Sequence, residues 1–332
     1  MTLSGARKRC PLCKKPMQRW GTHPSGTKRW HCPECKSNLV RRHKDNRDRT
    51  RLSLFVRWLT SKDSLYDLAK KQRVSLRTIQ RWFDPLWQDA PKPKPPLSTR
   101  VLVLDATSVI PRQCMLLIAG DDDRRAPVSW TPTVRECFES WFKFLMDLMW
   151  AGMEPSVVVC DGQRGLLKAI NEVWPKAKIQ RCLVHVIRQA SNWLTQNPKT
   201  RAAQELLVLV RQLSAIRTKR QRRRWIRSFQ YWDRKHKHFL KDRTHTLSGR
   251  WWYTHRKLRG TRSLLRNAIP DLFRFVTDPS IPRTSNHVEG GLNARLKELF
   301  RCHRGFSPTK KLALASWYLA LRQGQKPTRN VH

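Results

Sequence analysis

Two pairs of cysteines near the start of the chain have the spacing of metal ligands. Cys10 and Cys13 form one C-x2-C pair, Cys32 and Cys35 form a second, and 18 residues separate the two pairs. This spacing is typical of a zinc ribbon, in which each pair occupies a tight turn and four thiolates close a tetrahedral site. A closed site leaves no position for water, so we predict one structural zinc ion without a catalytic role.

Two aspartates follow continuous apolar runs farther along the chain. Asp105 comes directly after residues 101–104, and Asp161 directly after residues 157–160. Such runs predict buried strands, and we expect each aspartate to lie where its strand stops, the place where ligands and metals gather in α/β sheets. Either residue alone is better explained as a turn former or helix cap. As a pair they could share a metal ion.

A third carboxylate, Glu289, lies in the segment Ser285-Asn286-His-Val-Glu289-Gly290. Asn286 followed three residues later by Glu289 is close to a capping box and precedes apolar residues at helical spacing. A glutamate in a first helical turn is firmly oriented and can still project toward a metal, so both interpretations stand. The next carboxylate along the chain, Glu298, is expected to be a solvated helix residue.

Cys182 lies 21 residues after Asp161, and His185 lies three residues after Cys182. One thiol and one imidazole make half of a metal site, and no second pair stands nearby in the sequence. We favour a packing or hydrogen-bonding role beside the carboxylates over metal ligation.

The elements that position these residues can be outlined from the same sequence. The apolar runs at 101–104, 114–119 and 157–160, with an amphipathic helix at about 135–151, indicate a sheet covered by helices. Residues 64–83 carry a helix-turn-helix pattern in which Ser75 caps the second helix. The outer side of that helix is predicted to reach DNA through Arg77, Thr78, Gln80 and Arg81. An ordinary helical hairpin is the alternative.

The net charge of the chain indicates what kind of partner it binds. The chain has 332 residues, with 68 Lys and Arg against 24 Asp and Glu, a formal charge of +44, and 39% hydrophobic residues with 15 Trp. That apolar content supports a core and excludes a disordered polybasic tail. The charge requires a polyanion, and because no long apolar run or hydrophobic signal is present, we expect nucleic acid and no membrane. Nine cysteines without a secretory signal favour a reducing compartment.

The distribution of charge is uneven. It is +17 over residues 1–98, +2 over 99–198 and +25 over 199–332. We therefore expect two basic regions to hold DNA around a segment whose carboxylates are kept clear of cationic side chains.

Together these motifs resemble bacterial insertion-sequence transposases of the Mutator-like type. The resemblance rests on the cysteine pairs, the helix-turn-helix, Leu-Val-Leu-Asp105-Ala-Thr, Val-Val-Val-Cys-Asp161-Gly, Gln180-Arg-Cys182-Leu-Val-His185 and the Ser-Asn-x-x-Glu289-Gly segment. It implies a ribonuclease H-like α/β fold, a mixed sheet flanked by helices, with an Asp-Asp-Glu triad of Asp105, Asp161 and Glu289 and a helical insertion before the glutamate.

The implied activity is DNA transposition. Two Mg2+ ions, with Mn2+ as a substitute, would be held by the triad, Asp105 bridging both, and would support strand cleavage and strand transfer. The implied partners are double-stranded DNA, as terminal inverted repeats and target DNA, and further copies of the chain in a dimer or higher oligomer. The expected location is the bacterial cytoplasm, at the nucleoid.

Domain boundaries follow from these assignments. They are a zinc ribbon at 1–40, a helix-turn-helix domain at 41–90, a Pro-rich linker at 91–98, a catalytic domain at 99–198 and 284–325, a helical insertion at 199–283 and a tail at 326–332. Within the insertion, Arg222, Arg223 and Arg224 are expected to bind phosphates. Trp251 and Trp252 could stack on an unpaired base, although we expect at least one of them in the core.

Two other functions are compatible with the sequence. A transposase-derived regulator would keep the DNA-binding modules and lack catalysis, which the three filled acidic positions disfavour. A structure-specific nuclease or resolvase would cleave branched DNA without joining strands.

Overall fold

The computed structural model describes residues 9, 10, 12–23, 26–40, 43–96 and 98–325. The chain divides into two compact units, Met1–Leu86 and Trp87–His332, and each is described by itself. The tail at 326–332, and residues 41 and 42 at the start of the expected helix-turn-helix domain, lie outside the described residues. Within the described part, no helix is both long and apolar enough to cross a membrane.

The first unit begins with a small antiparallel sheet and continues with three helices. The sheet order is β1-β2-β3. The elements are β1 (Gln18–Thr22), β2 (Lys28–His31), β3 (Asn38–Val40), α1 (His43–Thr60), α2 (Leu65–Lys71) and α3 (Leu76–Gln88), which ends just beyond the unit. Buried rings join α1 to α3, with Phe55 and Phe83 centroids 5.0 Å apart.

Local capping explains where α2 and α3 begin. The Ser64 hydroxyl accepts a hydrogen bond from the Asp67 amide, while the Asp67 carboxylate accepts one from the Ser64 amide, a complete capping box. The Ser75 hydroxyl accepts a hydrogen bond from the Thr78 amide at 3.2 Å, as the sequence predicted for the second helix. Each of the two helices therefore begins at a serine cap.

The second unit is built on a five-stranded mixed sheet. Its order is β6-β5-β4-β7-β8, antiparallel from β6 to β4 and parallel from β4 to β8. The strands are β4 (Val101–Ile110), β5 (Cys114–Asp121), β6 (Ala126–Thr133), β7 (Val157–Cys160) and β8 (Lys178–Arg181). Helices α4 (Phe138–Trp150) and α5 (Arg164–Val173) pack on it through a core that includes Leu104, Trp141 and Ile170.

The remaining elements follow β8. They are α6 (Leu183–Leu194), α7 (Arg201–Gln212), α8 (Lys219–Lys235), β9 (Arg243–His245), β10 (Trp251–Tyr253), α9 (Arg256–Leu272), α10 (Arg274–Thr277), a π-helical stretch (His287–Asn293), α11 (Ala294–Cys302) and α12 (Pro308–Arg322). The expected helical insertion therefore also contains a hairpin, β9-β10. Helix α12 returns to the sheet, where the Trp130 indole donates a hydrogen bond to Ser316 at 3.1 Å.

The Pro-rich segment has neither helix nor strand among its described residues and is fixed to the second unit. The side chain of Gln323, just after α12, donates to the carbonyl of Lys94 at 2.8 Å and accepts from its amide at 3.1 Å. Gln325 donates to the Lys92 carbonyl at 3.1 Å. The segment therefore follows a defined path beside the end of α12.

Candidate active site

Strand register brings the two aspartates together. In the parallel pair β4-β7, Val101 lies opposite Val157 and Val103 opposite Val159. Continuing this register by two residues places Asp105 level with Asp161, on strands about 4.8 Å apart. The prediction that β4 stops at Asp105 is wrong, because β4 continues to Ile110 by pairing with β5. Asp105 instead lies mid-strand, just past the end of its shorter neighbour β7.

Asp105 is a buried carboxylate with one close hydrogen-bond donor. It is 8% exposed, and its Oδ2 accepts a hydrogen bond of 2.6 Å from the amide nitrogen of buried Asn293. Burial raises the pKa of Asp105 to about 6; the nearby His185 opposes this rise, and the charges of Asp161 and Glu289 add to it. Asp161 and Glu289 therefore both lie close enough to Asp105 to act on it electrostatically.

Asp161 begins the turn between β7 and α5. Its Oδ1 accepts a hydrogen bond of 2.9 Å from the amide of Gln163, so it is a turn former as well as a member of the acidic cluster. The side chain of Gln163 caps α5 through the Leu166 amide at 2.7 Å. These two bonds fix the end of β7 relative to the start of α5, next to the Asp161 carboxylate.

Glu289 reaches the sheet because the insertion is anchored on both sides of its return path. Buried Gln180 on β8 donates to the carbonyl of Leu272 at 2.9 Å and accepts from the amide of Arg274 at 2.9 Å. The Leu183 amide, at the start of α6, donates to the carbonyl of Arg283 at 3.0 Å. These bonds place the 285–293 segment against α6 and β4.

The start of this segment differs from the capping box that the sequence suggested. The Asn286 side chain makes no capping bond, and the backbone carbonyl of Ser285 accepts from the amides of Val288 and Glu289 at 2.9 Å each. The turns that follow are π-helical, a geometry that is frequent at functional sites. They present Glu289 and Asn293 toward the same cluster.

Cationic side chains contact Glu289, contrary to the expectation drawn from the neutral middle segment. The Arg188 guanidinium on α6 forms an ion pair with it, and His185 Nε2 lies 3.6 Å from its Oε2. Burial lowers the pKa of His185, but its hydrogen bond to Cys182 and the negative charges of Cys182, Glu289 and Asp105 outweigh this and raise it to about 9. These neighbours therefore favour the charged imidazolium form of His185.

Cys182 and His185 form a chain of contacts with Ser285. The buried Cys182 sulfur accepts hydrogen bonds from the Ser285 amide and hydroxyl at 3.3 Å each, and the hydroxyl lies 3.5 Å from His185 Nδ1. These are the contacts of a hydrogen-bonding role beside the carboxylates. Ligand atoms of Cys182, His185 and Glu289 also lie within 4.8 Å of one another and could hold a metal ion, so ligation stays a second interpretation.

A fourth carboxylate was missed by the sequence reasoning. Glu136 precedes α4, and its Oε1 accepts a hydrogen bond of 3.2 Å from the Trp141 indole. Burial raises its pKa, and the charges of Asp161 and Asp105 add to that rise. The Glu136 carbonyl also accepts from the Gln163 side chain at 3.3 Å. Glu136 follows no apolar run and belongs to no motif, so no sequence pattern indicated it.

Arg181 was missed as well. Its buried guanidinium covers Gly162, where an added Cβ would lie 1.7 Å from Arg181 Nε, and that nitrogen donates to the Asp161 carbonyl at 3.1 Å. Gly162 has φ of +84°, a conformation that favours glycine. Glycine is therefore required directly after Asp161, because no side chain fits beneath Arg181.

The four cysteines of the first unit come together as predicted. Sulfur separations are 3.4 Å for Cys10 and Cys35, 3.3 Å for Cys13 and Cys32, and 3.6 Å for Cys13 and Cys35. Tetrahedral thiolates at about 2.3 Å from zinc are separated by about 3.8 Å. Lys14 and Lys36, which follow the second cysteine of each pair, both have positive φ, as tight turns require. The cluster could hold a metal ion.

The predicted DNA-binding side chains occupy separate surfaces. On α3, Arg77, Gln80 and Arg81 are exposed and Thr78 is half-buried. On α8, one face is apolar and buried, formed by Trp225, Phe229 and Trp232. The basic residues therefore occupy the remaining faces of the helix and do not surround it. Arg223 and Arg224 are exposed, whereas Arg222 is half-buried with a buried Nε.

Both tryptophans of the hairpin are on the surface. Trp251 is 46% and Trp252 37% exposed, so the expectation that one of them packs in the core is wrong. A two-stranded hairpin of three-residue strands has too little surface to cover them. The Arg243 guanidinium lies 4.0 Å from the Trp251 ring centroid and that of Arg256 lies 5.9 Å from Trp252.

Residues 98–248 match the model of the family described as Transposase, Mutator family. The matched stretch is 151 of 332 residues, and over it the chain is similar to Mutator family transposases. The match includes Asp105, Asp161, Cys182 and His185 and ends before Glu289. The Mutator assignment agrees with the resemblance seen in the sequence.

Individual relatives of this Mutator domain are insertion-sequence transposases. A probable transposase of Corynebacterium diphtheriae is 30% identical over 99 residues, covering 29% of each chain. The transposase for ISRM5 of Rhizobium meliloti is 36% identical over 115 residues, 32% of this chain and 29% of the relative. That for IS6120 of Mycolicibacterium smegmatis is 38% identical over 90 residues, 26% and 27%. The chain thus spans less than a third of these relatives' length.

Proposed function

We propose that this protein is a DNA transposase that binds the terminal inverted repeats of an insertion sequence and catalyses DNA cleavage and strand transfer. The observation that carries the proposal is that Asp161 and Glu289, from distant parts of the chain, both act electrostatically on Asp105, while the β4-β7 register sets Asp105 level with Asp161. The Mutator match over the two aspartates supports the same activity.

The sheet supports a ribonuclease H-like catalytic domain. Three antiparallel strands continue into two parallel strands, with the longest strand, β4, in the centre. In this arrangement the central strand carries Asp105 beside the end of β7, which is where a shared metal site requires it. The segment after the insertion then adds the third carboxylate.

The donor set fits divalent magnesium. Carboxylate oxygens are its natural ligands, and a bound cation would offset both the burial and the neighbouring negative charges that raise the pKa of Asp105. Asp105, Asp161 and Glu289 would hold the ions, with Mn2+ as a substitute. Bound ions would activate the attacking oxygen and neutralise charge on the phosphate.

The chain's own residues orient these carboxylates. Asn293 fixes one oxygen of Asp105, the Gln163 amide fixes Asp161, and Arg188 and His185 hold Glu289. Glu136 adds negative charge on the Asp161 side of the cluster. Such support is what keeps metal ligands in position while a phosphate enters.

DNA would be held by several basic surfaces. The zinc ribbon and the exposed side of α3 would bind the inverted repeats, and the basic face of α8 with Trp251 and Trp252 would bind DNA near the cleaved end. Because two element ends must be joined, at least a dimer would assemble on DNA, in the bacterial cytoplasm.

The test is an assay of cleavage and joining on a terminal-repeat duplex with and without Mg2+. Asp105→Asn and Glu289→Gln should abolish both products. Glu298→Gln is the matched control, since Glu298 pairs with Arg295 at 2.5 Å and is outside the acidic cluster. Undiminished activity of Asp105→Asn excludes the assigned site. Binding without cleavage by the wild type would indicate a regulator, and cleavage of branched DNA without joining a nuclease.

A further inference from the structure

One face of the three-stranded sheet in the first unit exposes a tryptophan. Trp20 on β1 is 58% exposed, whereas Trp30 on β2 is half-buried and packs against the cysteine cluster. Gln18 and Trp20 lie on one face of β1, and Gln18 pairs with His31 across the sheet. The Trp20 ring therefore lies on the face turned away from the sulfurs, where His31 is its neighbour.

This ring is held in a defined position. The Trp20 and His31 ring centroids are 4.8 Å apart, with an interplanar angle of 38°. His31 Nδ1 is 2.9 Å from the Asn38 amide oxygen on β3, and because that oxygen only accepts, Nδ1 donates. The three strands thus each contribute one side chain, and the amide nitrogen of Asn38 is a hydrogen-bond donor beside the rings.

The surroundings of the ring are cationic. Residues 1–40 contain nine Lys and Arg and one acidic residue, Glu34. Of the exposed cations on β1 and β2, Arg29 lies on the same face as His31 and Trp20, whereas Arg19 and Lys28 lie on the opposite face. A protein-docking patch is a contiguous apolar area, whereas here one aromatic ring stands among positive and polar groups.

These features match the requirements of single-stranded nucleic acid. Such sites combine a positive surface for the backbone with aromatic rings for the bases. In a duplex both faces of each base are covered by neighbouring bases, so a tryptophan face can stack only on an unpaired base. The ribbon surface is therefore suited to a strand that has lost its pairing.

We propose that Trp20, together with His31 and Asn38, binds an unpaired base of single-stranded DNA. Arg29, on the same face of β2 as His31, contacts an adjacent phosphate. The site is separate from the acidic cluster, lies in the other unit of the chain, and does not depend on the proposed catalytic activity.

The test measures binding by the full-length, zinc-loaded protein without Mg2+. Fluorescence anisotropy is recorded with labelled oligothymidine of about 20 nucleotides and with a duplex of the same length. Trp20→Ala should weaken oligothymidine binding about 5- to 100-fold and duplex binding less than about twofold, and Trp20→Phe should restore most of the loss. Trp150→Ala, which removes a tryptophan that is 73% exposed on α4, is the matched control and should bind like the wild type.

Zinc content of each variant shows whether the ribbon is intact. The proposal is overturned if Trp20→Ala retains its zinc and binds oligothymidine like the wild type, or if it loses oligothymidine and duplex binding equally.

A second measurement locates the base directly. Oligothymidine carrying 5-iododeoxyuridine crosslinks to aromatic side chains on irradiation, and the peptide that contains Trp20 should carry the crosslink. Crosslinks confined to the second unit, as at Trp251 or Trp252, would overturn the assignment. Because neither experiment involves cleavage, an inactive acidic cluster leaves both results interpretable.

Discussion

Replacing Asp105 by asparagine is expected to stabilise the second unit in magnesium-free solution at neutral pH, although it removes the proposed activity. The carboxyl is buried, and burial together with the charge of Asp161 raises its pKa to about 6. Asparagine keeps an oxygen that accepts the hydrogen bond from Asn293 but has no charge to bury. The substitution therefore removes the free-energy cost of ionising a group inside the protein.

The magnitude follows from the two pKa values of Asp105. The rise from 3.8 to about 6 corresponds to about 3 kcal/mol of unfolding free energy. Because the folded pKa is the higher one, the unfolded chain loses its proton first as the pH rises, and the wild type loses stability between about pH 4 and pH 6. The advantage of the variant is absent below this window, grows through it and is constant above it.

Thermal unfolding at several pH values measures this difference. For a unit of this size, about 3 kcal/mol raises the melting temperature by about 6 to 12 °C at neutral pH. Asp121→Asn on β5 is the matched control, because Asp121 is equally buried but accepts hydrogen bonds from Thr99 and Arg124, and its loss should lower the melting temperature. The reasoning is refuted if Asp105→Asn is no more stable than the wild type at neutral pH, or if its advantage does not change with pH.

Two further substitutions test other parts of the structure. Gly162→Ala should destabilise the second unit by at least about 1 to 2 kcal/mol in urea unfolding, because Gly162 has positive φ and a Cβ would strike Arg181; unchanged stability would contradict the described turn. Cys35→Ser should reduce zinc content below one ion per chain and make residues 9–40 sensitive to protease, whereas Cys302→Ser, which changes an exposed thiol in the second unit, should do neither. Wild-type protein without zinc would refute the metal assignment.

The sequence predicted elements well where one periodic signal dominates. The apolar runs identified β4, β5 and β7, and the helix expected at about 135–151 is α4, Phe138–Trp150. The end of β4 was misplaced because residues 106–110 alternate between buried and exposed positions, and a polar Asp within the run was interpreted as a stop. Pairing with β5 determines the length of β4, and this pairing depends on residues outside the β4 segment itself.

The residues of the candidate site also divide into those that the sequence predicted and those that it did not. Asp105 and Asp161 could be paired from sequence because both follow apolar runs, and the fold then supplies the register of the two strands. Glu289 required the resemblance, since nothing local indicates that Gln180 and Leu183 anchor the path that returns it. Glu136 belongs to no motif, and the strands of the hairpin β9-β10 are too short, at three residues each, to show a periodic pattern.

The acidic cluster is electrostatically asymmetric, and this asymmetry bears on how it would hold metal. Glu289 is compensated by direct contacts with Arg188 and His185, whereas Asp105 has a neutral hydrogen-bond donor, Asn293, and lies in the fields of both His185 and Asp161. A divalent cation that binds Glu289 would therefore compete directly with Arg188. We expect Arg188, exposed on α6, to turn to a DNA phosphate when Glu289 binds a metal. Arg188→Gln should then tighten Mg2+ binding in titrations followed by melting temperature while weakening duplex binding, and a variant that changes neither would contradict the competition.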